Sequence, residues 1–149
     1  RFKADQLGAK DRLNIVRLTK ILAPNTSPLP SWFSAWKHKE IIYPFSDLIF
    51  APMSVPFVAN SLVTIGEKRI PGCFHLSGAE NISYVDLALS LAEQQGVSAD
   101  LIKSTTSEEK GIHIAFKPQY SGLGMKQTSE LTGIEPQILS DVTSDLIAN

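Results

Sequence analysis

Side chains that could carry chemistry are few and scattered in this chain of 149 residues. There is no GxGxxG segment, P-loop, HExxH or G-x-S-x-G, so the sequence offers no self-contained catalytic motif. The three histidines, His38, His75 and His113, are widely separated and lack ligand spacing, so we expect no metal site. His75 alternates with Phe74 and Leu76, which favours a hydrogen-bonded structural histidine over a general base.

Aromatic and basic side chains suggest a second chemistry, the binding of a ligand that has both a flat ring and a negatively charged group. Trp32 and Trp36 are four residues apart, so they would share one face of a helix, with Phe33 beside them. This cluster could pack in the core, or it could form a wall on which a base or sugar ring stacks. The lysines that could meet a pyrophosphate, or simply remain solvated, are Lys20, Lys37 and Lys117.

Asp47 and Cys73 have ordinary structural explanations. Asp47 follows a predicted strand, where a carboxylate commonly accepts hydrogen bonds from loop N–H groups; a role in binding substrate is the alternative. Cys73 is the only cysteine, which excludes an internal disulfide and fits a reducing cytoplasm. Because no cation or helix N-terminus is evident beside it, we expect a buried, inert thiol.

Composition and charge restrict the classes of function. The chain is 43% hydrophobic and 19% charged, which is ordinary for a soluble globular domain. Its net charge of −1, without a basic stripe, argues against nucleic-acid binding. The apolar runs are far shorter than the roughly 20 residues that span a bilayer, so we expect no membrane segment.

Hydrophobic periodicity predicts strands of an α/β fold. The segment 14–21 has a continuous apolar start, which predicts a strand buried on both faces. Further strands are predicted over 41–45 and 72–78, and one of mixed exposure over 101–108. The prolines of 23–31 exclude helix and central strand, so this segment is expected to be a loop.

Capping residues predict the helices between these strands. Ser31 can cap a helix over 32–40. Ser54 can cap a second helix, which Gly66 would end. The apolar face predicted for this second helix consists of Val55, Val58, Ala59, Leu62 and Val63.

The third helix has the clearest boundaries. Ser83 and Asp86 form a capping box, and Gly96 is placed to end the helix. Two short helices follow a polar loop, and the last begins near Pro136. The order of elements indicates one Rossmann-like strand joined to a small mixed α/β layer.

Four segments in this order resemble the C-terminal part of an extended short-chain dehydrogenase/reductase, most closely the dTDP-4-dehydrorhamnose reductase group. They are NIVRLTKIL, YPFSDLIFAPMSVPFVANSL, GCFHLSGAENISYVDLALSLAEQQG and FKPQYSGLGMK. The resemblance implies that 1–22, a helix end and a strand, is a remnant of an NAD(P)-binding Rossmann domain. It implies that 23–149 is a substrate-binding subdomain.

The resemblance also implies roles for single residues. Lys3 falls at the lysine of a catalytic Tyr-x-x-x-Lys pair, in which the lysine holds the nicotinamide ribose and lowers the pKa of the tyrosine. The tyrosine would precede Arg1. The residues implicated in binding the sugar, the nucleotide and the pyrophosphate are Thr19, Lys20, Trp32, Phe33 and Lys117. The residues expected to be structural neighbours of the site are Arg17, Asp47 and His75.

Two of these positions depart from the group's pattern. Many relatives have arginine where Lys117 stands, and lysine cannot make the bidentate contact of arginine with phosphate. Lys20 stands where the rhamnose reductases tend to carry an aromatic residue, which leaves the sugar substrate open.

We therefore predict the sugar-nucleotide-binding part of a cytoplasmic NAD(P)-dependent sugar-nucleotide reductase. The alternatives are an NAD-dependent nucleotide-sugar epimerase or dehydratase, and a non-catalytic regulatory or binding protein on the same fold. NAD or NADP would serve the full-length protein, and we expect this chain to bind neither and to be inactive alone. An exposed edge beside the 14–21 strand would allow a homodimer.

Overall fold

The computed structural model describes residues 13–148, whose elements form a mixed α/β fold as predicted. The strands are β1 (Asn14–Leu18), β2 (Lys20–Leu22), β3 (Ile49–Phe50), β4 (Pro52–Ser54), β5 (Gly72–Leu76) and β6 (Ile82–Ser83). The helices are α1 (Leu29–Lys37), α2 (Val55–Lys68), α3 (Tyr84–Gln95), α4 (Lys126–Thr132) and α5 (Leu139–Ile147), with a 3₁₀ turn at Ala99–Leu101. Lys3 and the predicted N-terminal helix end lie outside the described residues.

The strand predicted over 14–21 is two strands, because its halves pair with different partners. β1 pairs in parallel with β5, whereas β2 pairs in parallel with β4. Thr19 lies at the break and donates its N–H to the Leu76 carbonyl at 3.2 Å. Burial on both faces is wrong for β1, since Ile15 is 41% exposed. Cys73 is the register neighbour of Ile15 on this face, and it is half-buried rather than buried.

Two further predicted strands pair with each other in parallel but form only isolated bridges. Ile42 bridges to Ile102 and Phe45 to Thr105. The N–H groups of Ile42 and Ser46 donate across the pair, but Pro44, midway between them, has no N–H to donate. A proline in the middle of the ladder therefore explains why 41–45 and 101–108 are not regular strands.

Helix α1 begins three residues before its predicted start. Pro30 lies in its first turn, where the missing N–H costs no hydrogen bond, so the proline segment is not wholly a loop. Ser31 does not cap the helix; its hydroxyl donates to the Pro28 carbonyl at 2.6 Å. The predicted boundary at Trp32 is therefore wrong.

The start of α2 is confirmed, but its end and buried face differ from the prediction. The Ser54 hydroxyl accepts the Phe57 N–H at 3.2 Å, as a helix cap should. The helix passes through Gly66 and ends at Lys68, followed by Arg69 in the left-handed conformation at φ 53°.

A polar residue explains the error in the buried face of α2. The buried residues are Val58, Ser61 and Ile65, spaced along one helical stripe. Because Ser61 is polar, a search for apolar periodicity passes over this stripe. Four residues of the predicted face are exposed, namely Val55, Ala59, Leu62 and Val63.

Helix α3 matches the prediction at both ends. The Ser83 N–H donates to the Asp86 carboxylate at 2.8 Å, and the Ser83 hydroxyl accepts the Asp86 N–H at 3.2 Å. Gly96 ends the helix at φ 66°. Its buried residues are Leu87, Ala88, Leu91 and Ala92. The last helix, α5, begins at Leu139, close to its predicted start near Pro136.

Two apolar clusters hold these elements. The larger lies among α1, α3 and α5 and includes Trp32, Trp36, Leu91 and Val142. The second joins β4, β5 and α2 and includes Phe74, Leu76 and Ile65. Helix α1 thus rests on the larger cluster, while β5 belongs to the second.

Gly78 provides a direct test of the packing after β5. A Cβ atom there would lie 2.3 Å from the Pro52 carbonyl oxygen, which is backbone of β4 and cannot move aside alone. We expect Gly78→Ala to lower the free energy of unfolding by roughly 2 kcal/mol or more, measured by urea denaturation.

Gly66→Ala is the matched control, because a Cβ there meets nothing within 4 Å. This substitution should raise the free energy of unfolding by about 0.5–1 kcal/mol, since alanine is the better helix former. Equal stabilities of the two variants would contradict the close approach of Gly78 to β4.

Candidate functional site

The carboxylate of Asp47 joins two distant segments of the chain. Its two oxygens accept the Ser107 N–H at 3.0 and 3.1 Å, and its Oδ2 accepts the Ser107 hydroxyl at 2.6 Å. The Lys117 ammonium donates to the same Oδ2 in an ion pair. Asp47 thus ties the segment that carries Lys117 to the end of the 41–45 segment.

These donors also control the charge of Asp47. The hydrogen bond from Lys117, and after it that from Ser107, lowers the pKa of Asp47 from 3.8 to about 2. The carboxylate is therefore ionised at every pH above about 3. The lowered pKa keeps the Asp47 carboxylate in the charged form that accepts from Lys117 at neutral pH.

The C-terminal end of the segment that carries Lys117 is anchored by side chains that follow β5. The Asn81 Oδ1 accepts the N–H groups of Ser121 at 2.7 Å and Gly122 at 2.9 Å. The Ser77 hydroxyl accepts the Leu123 N–H at 3.1 Å. The loop over 107–123 is consequently held at both ends.

Between these anchors the loop presents its side chains to solvent. Phe116 is 78% exposed, Tyr120 is 80% exposed, and Ile112 is about half exposed. The Lys117 side chain keeps 34% of its surface exposed although it is paired. A ligand in solution can therefore reach the Lys117 ammonium.

Lys117 and Ser107 line one cavity, of about 300 Å³, and an aromatic pocket of about 250 Å³ is a separate cavity. Phe45 and Leu48, which flank Asp47 in the sequence, are part of its wall. The other lining residues are Ser27, Pro28, Trp32, Tyr43, Pro44 and Tyr84. With four aromatic rings and few polar groups, this pocket suits a flat ring with an apolar face.

Ring contacts fix the shape of the aromatic pocket. Trp32 meets Tyr84 edge to face, with centroids 6.3 Å apart, and Tyr84 packs on Phe50 at 4.5 Å. The Lys110 ammonium lies 4.7 Å from the centroid of the Tyr43 ring, which is a cation–π distance. Lys110, a second lysine of the loop over 107–123, therefore contacts a residue that lines the aromatic pocket.

The structure separates the two neighbours Trp32 and Phe33. Phe33 lines a second cavity, of about 380 Å³, together with Pro24, Trp36 and Lys37. Because successive residues of a helix point in directions about 100° apart, α1 presents Trp32 to the aromatic pocket and Phe33 and Trp36 to the second cavity. Only Trp32 shares the aromatic pocket, so the two residues do not form one binding wall.

The remaining predicted residues lie around the ends of β1 and β5. Arg17 and His75 are register neighbours, and His75 Nδ1 lies 3.0 Å from the Gly124 carbonyl oxygen. The Thr19 hydroxyl is buried without a hydrogen-bond partner among the described residues, while Lys20 is exposed in β2. None of these four residues lines the aromatic pocket.

Several residues of this site carry no clear functional signal in the sequence. Tyr84 follows the Ser83 cap of the third helix, and Asn81 lies two residues before that cap. The overlooked residues that line the pocket or anchor the loop are Ser77, Asn81, Tyr43, Phe45, Tyr84, Ser107 and Lys110. A sequence signal exists for Tyr43 and Phe45, which are aromatic residues on either side of Pro44. The anchors depend on contacts between distant segments.

The turn after β5 does not fit the phosphates of a nicotinamide dinucleotide cofactor. Such a group needs an open glycine turn at a strand end, but Gly78, after β5, has the Pro52 carbonyl oxygen where a cradle would be. Over 13–148, no set of three or more histidine, cysteine or acidic side chains is gathered around a metal position. Over the same range, no helix combines the length and apolarity needed to cross a membrane.

Solved structures with a similar fold include two dTDP-4-dehydrorhamnose reductases and a UDP-glucuronic acid 4-epimerase. A dTDP-4-dehydrorhamnose reductase from Bacillus anthracis str. Ames in complex with NADP superposes with a TM-score of 0.75 at 18% identity, over 91% of this chain and 48% of that one. The enzyme from Clostridium acetobutylicum ATCC 824 gives 0.73 at 19% identity, over 91% and 48%. A UDP-glucuronic acid 4-epimerase from Bacillus cereus gives 0.66 at 17% identity, over 92% and 44%.

These identities establish the fold, and the chain spans about half the length of the structures it matches. A search of curated proteins found no match. The family model described as the RmlD substrate binding domain matches residues 7–149, which is nearly the whole chain. On that match, the chain belongs to the RmlD substrate binding domain family.

Proposed function

We propose that this chain is the sugar-nucleotide-binding part of an NAD(P)-dependent reductase that acts on a nucleotide-linked 4-keto sugar in the cytoplasm. The observation that carries the proposal is the aromatic pocket, two of whose lining residues flank Asp47 in the sequence, together with the exposed Lys117 that pairs with Asp47. A flat base and a pyrophosphate are the two chemical parts that such a site would bind. In this proposal 1–22 belongs with a cofactor domain and 23–149 binds the substrate.

Different residues of the site would bind the base, the phosphates and the sugar. Trp32, Tyr43 and Tyr84 would hold the base by stacking and by excluding water. Lys117 uses one ammonium proton on Asp47 and keeps two for phosphate oxygens. Thr19 and Lys20 lie outside the aromatic pocket, and Thr19 has a buried hydroxyl free to meet a sugar hydroxyl if the strand end opens.

Hydride transfer is the chemistry that bound NAD or NADP would supply in the full-length protein. The task that we assign to the described residues is to bind and orient the sugar nucleotide, and the closed turn at Gly78 supports this division. Lys3 keeps its proposed place beside the cofactor. An epimerase or dehydratase could use the same binding residues, and the fold shared with the 4-epimerase supports this alternative.

Lys117 provides the test of nucleotide binding. By isothermal titration calorimetry, we expect the chain to bind dTDP more tightly than thymidine. Lys117→Gln should weaken dTDP binding by about tenfold, the worth of one charge-assisted hydrogen bond, without changing thymidine binding. Equal losses for dTDP and thymidine would show that Lys117 does not meet the phosphates.

Lys126→Gln is the matched control for the lost charge. The Lys126 side chain is 90% exposed and sits 3.9 Å from Glu130 in α4. This variant should bind dTDP as the unsubstituted chain does. A tenfold loss here too would mean that dTDP responds to net charge rather than to a site.

The isolated chain should not turn over substrate. With NADPH and a dTDP-linked 4-keto sugar, the absorbance of NADPH at steady state should fall no faster than in a blank without protein. Oxidation of NADPH above that blank would contradict the proposed division between cofactor and substrate parts.

A further inference from the structure

We infer that Asp47 is a positioning residue for phosphate binding, which holds the Lys117 ammonium where a nucleoside diphosphate can reach it. The inference rests on the proposed function and adds a residue that need not touch the ligand. It concerns how the loop over 107–123, rather than the aromatic pocket, recognises the charged part of the substrate.

Asp47 can serve as a fixed point because Ser107 holds it independently of Lys117. Ser107 is only 1% exposed, and it gives both its N–H and its hydroxyl to the carboxylate. The Asp47 side chain is itself 20% exposed. Its orientation is therefore set by a buried neighbour before the lysine is added.

Lys117 needs such a fixed point. It lies in the exposed part of the loop beside Phe116, and its ion pair with Asp47 is the one recorded for it among residues 13–148. A lysine on a flexible stem loses rotamer freedom when it grips a ligand. Pairing with Asp47 already restricts the Lys117 rotamers in the free protein, so less conformational entropy is lost when the ligand binds.

The negative charge of Asp47 also repels a phosphate. Repulsion predicts that removal of this charge strengthens dTDP binding, whereas positioning of Lys117 predicts that it weakens dTDP binding. Three donor groups already face the carboxylate: the Ser107 N–H, the Ser107 hydroxyl and the Lys117 ammonium. They compensate much of its charge, whereas nothing else described restrains the lysine. Positioning therefore outweighs repulsion.

Asp47→Asn separates positioning from folding. The amide oxygen of asparagine can still accept from Ser107, while the carboxylate that Lys117 pairs with is gone. We expect dTDP binding to weaken about fivefold and thymidine binding to stay unchanged. Asp47→Glu, which keeps a carboxylate one methylene further out, should recover part of the loss. If circular dichroism shows that Asp47→Asn is unfolded, the dTDP affinity of Asp47→Glu is the test of the inference instead.

Glu109→Gln is the matched control. Glu109 lies on the same loop, and the Thr106 N–H and Thr105 hydroxyl lower its pKa as those of Ser107 do for Asp47. It makes no recorded contact with Lys117, so Glu109→Gln should leave dTDP affinity unchanged.

A double-mutant cycle decides between positioning and a purely structural role. In the Lys117→Gln background, Asp47→Asn should have no further effect on dTDP binding, because there is no lysine left to hold. The same fivefold loss in that background would overturn the inference, as would unchanged or tighter dTDP binding by Asp47→Asn alone. If the unsubstituted chain fails to bind dTDP, the proposed function falls first and this inference with it.

Discussion

The ion pair and hydrogen bonds of Asp47 are the interaction on which the candidate site depends. The carboxylate follows the 41–45 segment, and its partners Ser107 and Lys117 lie 60 and 70 positions further along the chain. Without it, the loop over 107–123 would keep its anchors Asn81 and Ser77 at the far end and the contact of Lys110 with Tyr43. Asp47 thus fixes the Lys117 ammonium, and Asp47 is itself close in sequence to Phe45 and Leu48, which line the aromatic pocket.

The packing of α1 explains why a pocket exists there. The helix presses Trp32 and Trp36 into the larger apolar cluster, with ring centroids 6.5 Å apart. Each tryptophan also lines a different cavity, one beside Asp47 and the other towards α5. The same aromatic surface is therefore both core and candidate binding wall, so the two interpretations of this cluster in the sequence are not exclusive.

Sequence reasoning succeeded where the determining contacts are local. Ser83 and Asp86 are three residues apart and hydrogen-bond to each other, so their capping box can be predicted from the sequence. It failed where tertiary contacts decide. The break at Thr19 reflects two different partner strands, and the partnership of Asp47 with Ser107 spans 60 residues. For the site, residue types suggested Lys117 and Trp32, but nothing in the sequence distinguishes Trp32 from Phe33 as a pocket residue.

The two tryptophans allow the most direct test of the central claim, that the nucleotide binds in the pocket beside Asp47. The chain has two tryptophans, so a ¹H–¹⁵N correlation spectrum should show two indole N–H signals, which Trp36→Phe would assign. On titration with dTDP, the account predicts a saturable shift of the Trp32 signal that clearly exceeds any shift of Trp36. A shift confined to Trp36, or no shift of either signal at saturating dTDP, would contradict it.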